Sequence, residues 1–125
     1  MKLLNNLYMI SKRETTSLSA QYDIFLKEKS FIYKAHFPNE PITPGVCIIQ
    51  IAKELLEDYA QKHYTIKAIK NVKFLNVISP VITPYVTYIL DKIVIDEANK
   101  TCSLQVQVLA EEVLLTKLSF TCQEI

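Results

Sequence analysis

The chain is predicted to be an α+β protein in which a curved antiparallel sheet wraps one long, largely buried helix. Two observations carry this. Apolar residues alternate with period two along most of the sequence, as half-buried strands require. One segment switches to helical spacing and is apolar around most of its circumference, so it belongs inside the fold and not on its surface. Length agrees. At 125 residues the area-scaling rules give roughly 6,800 Å² folded against about 21,000 Å² unfolded, enough burial for one core and too little chain for two. The chain is therefore read as a single domain over residues 1–125.

The elements follow in order. A strand over Tyr8–Thr15 precedes a second in which Leu18, Ala20, Tyr22, Ile24 and Leu26 alternate with polar neighbours, and the two are expected to pair as a hairpin. The helix is predicted over 44–62. Thr43 is a capping residue type and Pro44 suits the first helical position. Ile48, Ile51, Ala52, Leu55 and Tyr59 form one apolar stripe, and Ile49, Ala52, Leu56 and Ala60 a second. Gln50, Lys53, Glu54, Glu57 and Gln61 make its polar line, and the β-branched Thr65-Ile66 pair follows its end. Further strands are predicted over 66–75 and 85–95, with a turn at 96–100. Cys102 to Ala110 alternates cleanly, and a strand from Leu114 to Cys122 follows the polar break Glu111-Glu112.

Composition excludes several functions. A formal net charge of +1 leaves no protein-wide basic footprint for nucleic acid. The only glycine is Gly45, so there is no glycine-rich phosphate loop and no dinucleotide fingerprint. Cys47, Cys102 and Cys122 are odd in number and far apart, which suits neither a disulfide framework nor a zinc site, and they read as small buried hydrophobes. No metal and no cofactor is expected. Asn5-Asn6 and Lys12-Arg13-Glu14 interrupt the early apolar residues, so no secretory signal or membrane span is expected and the chain is read as cytoplasmic.

The chemistry concentrates in residues 36–46, His-Phe-Pro-Asn-Glu-Pro-Ile-Thr-Pro-Gly-Val. Three prolines and the one glycine stiffen this stretch directly before the buried helix. It brings a histidine, a reasonable general base, near a helix start whose free N–H groups favour a polarised carbonyl. This stretch resembles the signature of the hot-dog-fold 3-hydroxyacyl-[acyl-carrier-protein] dehydratases, His-Phe-Pro-Gly-x-Pro-x-x-Pro-Gly-Val-x-x-x-Glu. His36, Phe37, Pro38, Pro41, Pro44, Gly45 and Val46 all match in place, and Lys73-Phe74-Leu75 with Pro80 resembles the family's later strand more loosely. The resemblance implies a hot-dog fold working as a dimer, with an acyl tunnel between subunits. It implies that His36 abstracts the C2 proton of a 3-hydroxyacyl thioester and that the Gly45 amide polarises the thioester carbonyl. Phe37, Pro44, Gly45 and Val46 become candidate substrate-binding residues. The donor is expected to be an acyl carrier protein or coenzyme A thioester in fatty-acid or polyketide-like lipid biosynthesis. Lys27, Lys29, Lys34, Lys67, Lys70 and Lys73 are candidates for docking an acidic carrier.

Two positions depart from the signature. Asn39 replaces a glycine, and asparagine tolerates the left-handed conformation best among other residues. The family's catalytic acid is Gln50 here. An amide does not protonate a leaving hydroxide, and general acid catalysis typically contributes about 10²–10⁴-fold. Glu54, one turn later on the same face, is the nearest carboxylate. It either supplies the proton through a water or is simply solvated. Cys47 lies in an apolar run and makes a poor nucleophile, and His63 reads as a cation near the helix end. Three readings therefore stand: a dehydratase, an acyl-thioester-binding subunit that has lost the acid, and a thioesterase. A homodimer or higher oligomer is expected, because such a sheet leaves strand edges to cover, with residues 85–95 the contact candidate.

Overall fold

The computed structural model describes residues 2–36 and 39–125. Its elements are β1 (Tyr8–Thr15), β2 (Ala20–Leu26), α1 (Phe31–His36), α2 (Gly45–Ala60), β3 (Tyr64–Phe74), β4 (Tyr85–Asp96), β5 (Thr101–Ala110) and β6 (Val113–Glu124). The six strands form one antiparallel sheet in the order β1-β2-β4-β5-β6-β3. Its inner face is the alternation read in the sequence. Tyr22, Ile24 and Leu26 from β2, Leu104, Val106 and Val108 from β5, and Leu118 and Phe120 from β6 are buried in the cluster that also holds Ile48, Ile51, Ala52, Leu55 and Leu56 of α2. This is the hot-dog arrangement that the resemblance implied.

Several boundaries differ, each for a local reason. Leu18, expected to face inward, is 71% exposed because β2 begins at Ala20. The Thr16 hydroxyl accepts the N–H groups of Leu18 and Ser19 and forms a turn there instead of a ladder. Thr43 does not cap α2; its hydroxyl lies 2.9 Å from that of Tyr33, and Pro44 is the residue before the first turn. The helix stops at Ala60 and not at 62, because Gln61 turns left-handed (φ 55°) and donates its N–H to the Glu57 carbonyl. Helix α1 is not among the predicted elements. Six residues are too few for periodicity to register, and only Ser30 hints at it, accepting the Ile32 N–H on its hydroxyl. The β5–β6 turn takes positive φ at both Glu111 and Glu112, the backbone of a tight hairpin.

Strand β4 sits inside the sheet between β2 and β5, so its edges are already paired. The free edges are β1 and β3. Edge β1 carries Lys12, Arg13 and Glu14, whereas β3 exposes Ile69 and Phe74 among its lysines. The cysteines are buried, and Cys102 and Cys122 are cross-strand partners. Burial pushes the Cys122 thiol up to about 12 and raises Cys47 and Cys102, so all three behave as neutral small hydrophobes. At the far end of α2, Arg13 forks onto Asp58 at 2.8 and 3.0 Å and Tyr22 donates to the same carboxylate at 2.6 Å. Burial alone would raise the Asp58 carboxyl, but these donors outweigh it and hold it below its ordinary value. Among the described residues, no helix is long and apolar enough to cross a membrane.

Candidate functional site

The start of α2 is held from three sides. Tyr33 of α1 meets the Thr43 hydroxyl, the Thr43 N–H donates to the Ile78 carbonyl at 2.8 Å, and Tyr88 of β4 donates to the Ile48 carbonyl. Pro44 supplies the first helical acceptor, taking the N–H of Cys47 at 2.9 Å and of Ile48 at 3.1 Å. The N–H groups of Gly45 and Val46 have no acceptor among the described residues, as the open end of a helix dictates. Gly45 leaves room for the Phe74 ring, which would have to swing aside for a larger residue. A Cβ there would lie 2.8 Å from the tip of the Phe74 ring. Beside it opens a largely apolar cleft of about 320 Å³, walled by Ile42, Gly45, Ile48, Phe74, Val77 and Ile78 among others. Free amides over an apolar cleft suit a polarised carbonyl carrying an aliphatic chain.

The candidate residues divide around this point. Gly45 lines the cleft, whereas Pro44 is half-buried and Val46 is 74% exposed in the first turn, and neither belongs to the cleft wall. His36 ends α1, exposed, its side chain making no hydrogen bond or ion pair among the described residues. Phe37 and Pro38 lie outside the described residues. Gln50 and Glu54 line a different hollow of about 610 Å³, with Lys2, Lys53, Glu57 and His63 among others, and His36 is not part of that wall. Among the described residues, then, His36 and Gln50 do not share the wall of this hollow.

Glu54 is not solvated. Only 4% exposed, it accepts four hydrogen bonds. Oε1 takes the Leu4 N–H (2.9 Å) and the Tyr8 hydroxyl (3.0 Å), and Oε2 takes the Leu3 N–H (2.8 Å) and the Gln50 side-chain amide (2.9 Å). Four donors converging on two oxygens make Glu54 a structural acceptor. Burial and this neighbouring charge together push the Tyr8 hydroxyl far above its ordinary range. The polar line of α2 is thus interrupted at its middle by an anchor for the N-terminal segment. Farther on, Lys53 bonds the Tyr64 carbonyl and Glu57 accepts the Tyr64 N–H, tying α2 to β3. His63 is 86% exposed, 3.9 Å from Glu57. Among the described residues no group of three His, Cys, Asp or Glu side chains converges as a metal site would need.

Comparison with known proteins agrees with this fold. The Xenorhabdus doucetiae structure described as the dehydratase heterocomplex ApeI:P is 21% identical, covering 92% of this chain and 96% of that one, with a TM-score of 0.61. A Helicobacter felis protein superposes with a TM-score of 0.68 at 13% identity, over 100% of this chain and 93% of that one. A hypothetical thioesterase of Streptococcus pneumoniae, solved with coenzyme A, reaches a TM-score of 0.64 at 12% identity over 94% and 85% of the two chains. No curated protein sequence matches. The family described as ApeI-like, ApeI dehydratase, matches residues 11–123. With that span, the signature at 36–46 and the six-stranded sheet around α2, the chain belongs to the ApeI-like dehydratase family.

Proposed function

We propose that the chain forms a 3-hydroxyacyl-thioester site of the dehydratase kind, assembled across two copies and weak in the proton-donating half of the reaction. The observation that carries this is the signature's placement: its glycine opens α2 on the wall of an apolar cleft, and its histidine ends α1, exposed, earlier in the same stretch of chain. In this reading His36 takes the C2 proton. The Gly45 amide holds the thioester carbonyl as negative charge develops on it, and the acyl chain enters the cleft. The C3–O bond then breaks, leaving the 2-enoyl thioester. The departing hydroxide must take its proton from solvent, because position 50 offers an amide and Glu54 is fully engaged. The whole chain, 1–125, acts as one such domain.

A second copy answers two features at once. It covers the long β3 edge, which exposes Ile69 and Phe74, and it offers a His36 to the hollow that holds Gln50. Light scattering should accordingly give a dimer at micromolar concentration, and a stable monomer would count against the assembled site. An acidic carrier protein suits the exposed Lys29, Lys34, Lys67, Lys70 and Lys73, with coenzyme A the other donor. The missing acid equally favours a second reading, an acyl-binding subunit that supports an active partner chain. To separate the readings, purified protein is incubated with crotonyl and 3-hydroxybutyryl carrier-protein thioesters while hydration, dehydration and free thiol are followed. Slow interconversion that disappears in His36→Ala is expected. Release of free thiol as the main product would make the chain a thioesterase, and binding without turnover would make it the supporting subunit.

A further inference from the structure

The proposed base and the proposed carbonyl-binding amide sit on two different helices, His36 at the end of α1 and Gly45 at the start of α2. Residues 39–44 before α2 form neither helix nor strand, so no backbone ladder sets one end against the other. One hydrogen bond bridges the gap. The hydroxyls of Tyr33 and Thr43 lie 2.9 Å apart, and among the described residues no other hydrogen bond joins α1 to residues 39–60. Tyr33 stands one turn before His36, and Thr43 two residues before Gly45. Both partners are buried, so a hydroxyl left alone there finds no water to replace the other. Burial pushes the Tyr33 hydroxyl up to about 12, so it keeps its proton at working pH. Thr43 falls at a free position of the signature and Tyr33 lies outside it, so the motif does not contain this pair.

We propose that Tyr33 and Thr43 are positioning residues whose hydroxyl pair clamps α1 to the start of α2, setting the His36 imidazole against the Gly45 amide for proton removal at C2. That role rests on the 3-hydroxyacyl-thioester reading of the site and adds the residues that hold its two halves in register. Pro41 and Pro44 fix φ at two positions, but stiffness alone does not set the angle of the segment to α1. Proton removal needs the base and the group receiving the developing charge at one spacing, and a misplacement of about 1 Å costs on the order of 10²-fold in rate. Binding is less demanding. The cleft is walled largely by apolar side chains, Ile42, Ile48, Phe74 and Val77 among them, and these make no use of either hydroxyl. Loss of the clamp therefore falls on the rate and spares the affinity.

Deuterium entry at C2 of 3-hydroxybutyryl pantetheine in D₂O, measured on the full chain, gives kcat and KM for proton removal. Tyr33→Phe and Thr43→Val each delete one hydroxyl at nearly constant volume. Each should lower kcat about tenfold or more and leave KM within about twofold. The double variant should be no slower than the slower single, because both delete the same bond. Thr43→Ser keeps the hydroxyl and should be severalfold faster than Thr43→Val. Tyr22→Phe deletes a buried hydroxyl bonded to Asp58 at the far end of α2, so it should lower the melting temperature and leave exchange alone. The chain's single glycine supplies a readout independent of turnover: ¹⁵N-glycine labelling gives one amide signal, which should shift in Tyr33→Phe and hold its place in Tyr22→Phe. Should Tyr33→Phe not fold, Thr43→Val against Thr43→Ser decides. Wild-type kcat in the folded single variants, additive losses in the double, or equal slowing in Tyr22→Phe would overturn the clamp and leave the thioester site standing. Wild type without exchange that depends on His36 would overturn both.

Discussion

Gln50→Glu should raise the dehydration rate by about 10²-fold or more, within the range that a positioned general acid contributes. The substitution places a carboxyl where the signature expects one, on the helix that already carries the rest of the site. It also places that carboxyl against Glu54, whose Oε2 lies 2.9 Å from the present amide. Two carboxyls this close do not both ionise readily, so the new one holds its proton to higher pH than an isolated glutamate. That is the state an acid needs. The variant's rate should therefore be highest where the introduced carboxyl keeps its proton and fall as pH rises through its raised pKa. Returning an amide to the neighbouring position, in Gln50→Glu/Glu54→Gln, removes the like charge and should move that fall to lower pH. A folded Gln50→Glu protein no faster than wild type would mean that the site lacks more than its acid.

Glu54→Leu should cost about 3 kcal/mol of stability and lower the melting temperature by roughly 10 °C. The replacement removes one acceptor from four donors, two of them backbone amides of the N-terminal segment. Each buried donor left unpaired costs about 1–3 kcal/mol, but the segment before β1 can peel into water and recover part of that. Against the roughly 5–15 kcal/mol typical of a natural domain this is a large share. Glu28→Leu, on an exposed residue, should change stability by less than about 0.5 kcal/mol. Urea denaturation checks both. Equal midpoints for the two variants would show that Glu54 does not anchor the N-terminus. Hydrogen exchange should locate the loss at Leu3 and Leu4.

Strands β5 and β6 are legible in the sequence almost to the residue, because period two is a local property that burial on one face enforces. Helix α2 is legible from its double apolar stripe. The helix-opening glycine stands out because it is alone, although its reason, the approach of the Phe74 ring, lies far downstream in the chain. What stays hidden is non-local. Glu54 reads as a surface residue between Lys53 and Leu55, and only donors 46 to 51 residues away in sequence make it a buried anchor. The same holds for β3, which pairs with β6 at the sheet's end, and for β4, which lies between β2 and β5. Alternation fixes a strand's faces and says nothing of its neighbours. Whether one copy or two completes a site is likewise illegible, since spacing along the chain does not say which copy supplies His36.

The most direct test of a site with a base and without an acid is solvent exchange at C2. In this measurement 3-hydroxybutyryl pantetheine is incubated with wild-type protein in D₂O and deuterium at C2 is followed by NMR beside formation of the enoyl product. If His36 removes the C2 proton and the Gly45 amide holds the resulting charge, deuterium enters C2 faster than hydroxide leaves, and both processes stop in His36→Ala. Gln50→Glu should then bring elimination up toward the exchange rate. Exchange that persists unchanged in His36→Ala, or thioester cleavage with no exchange at C2, would contradict the account.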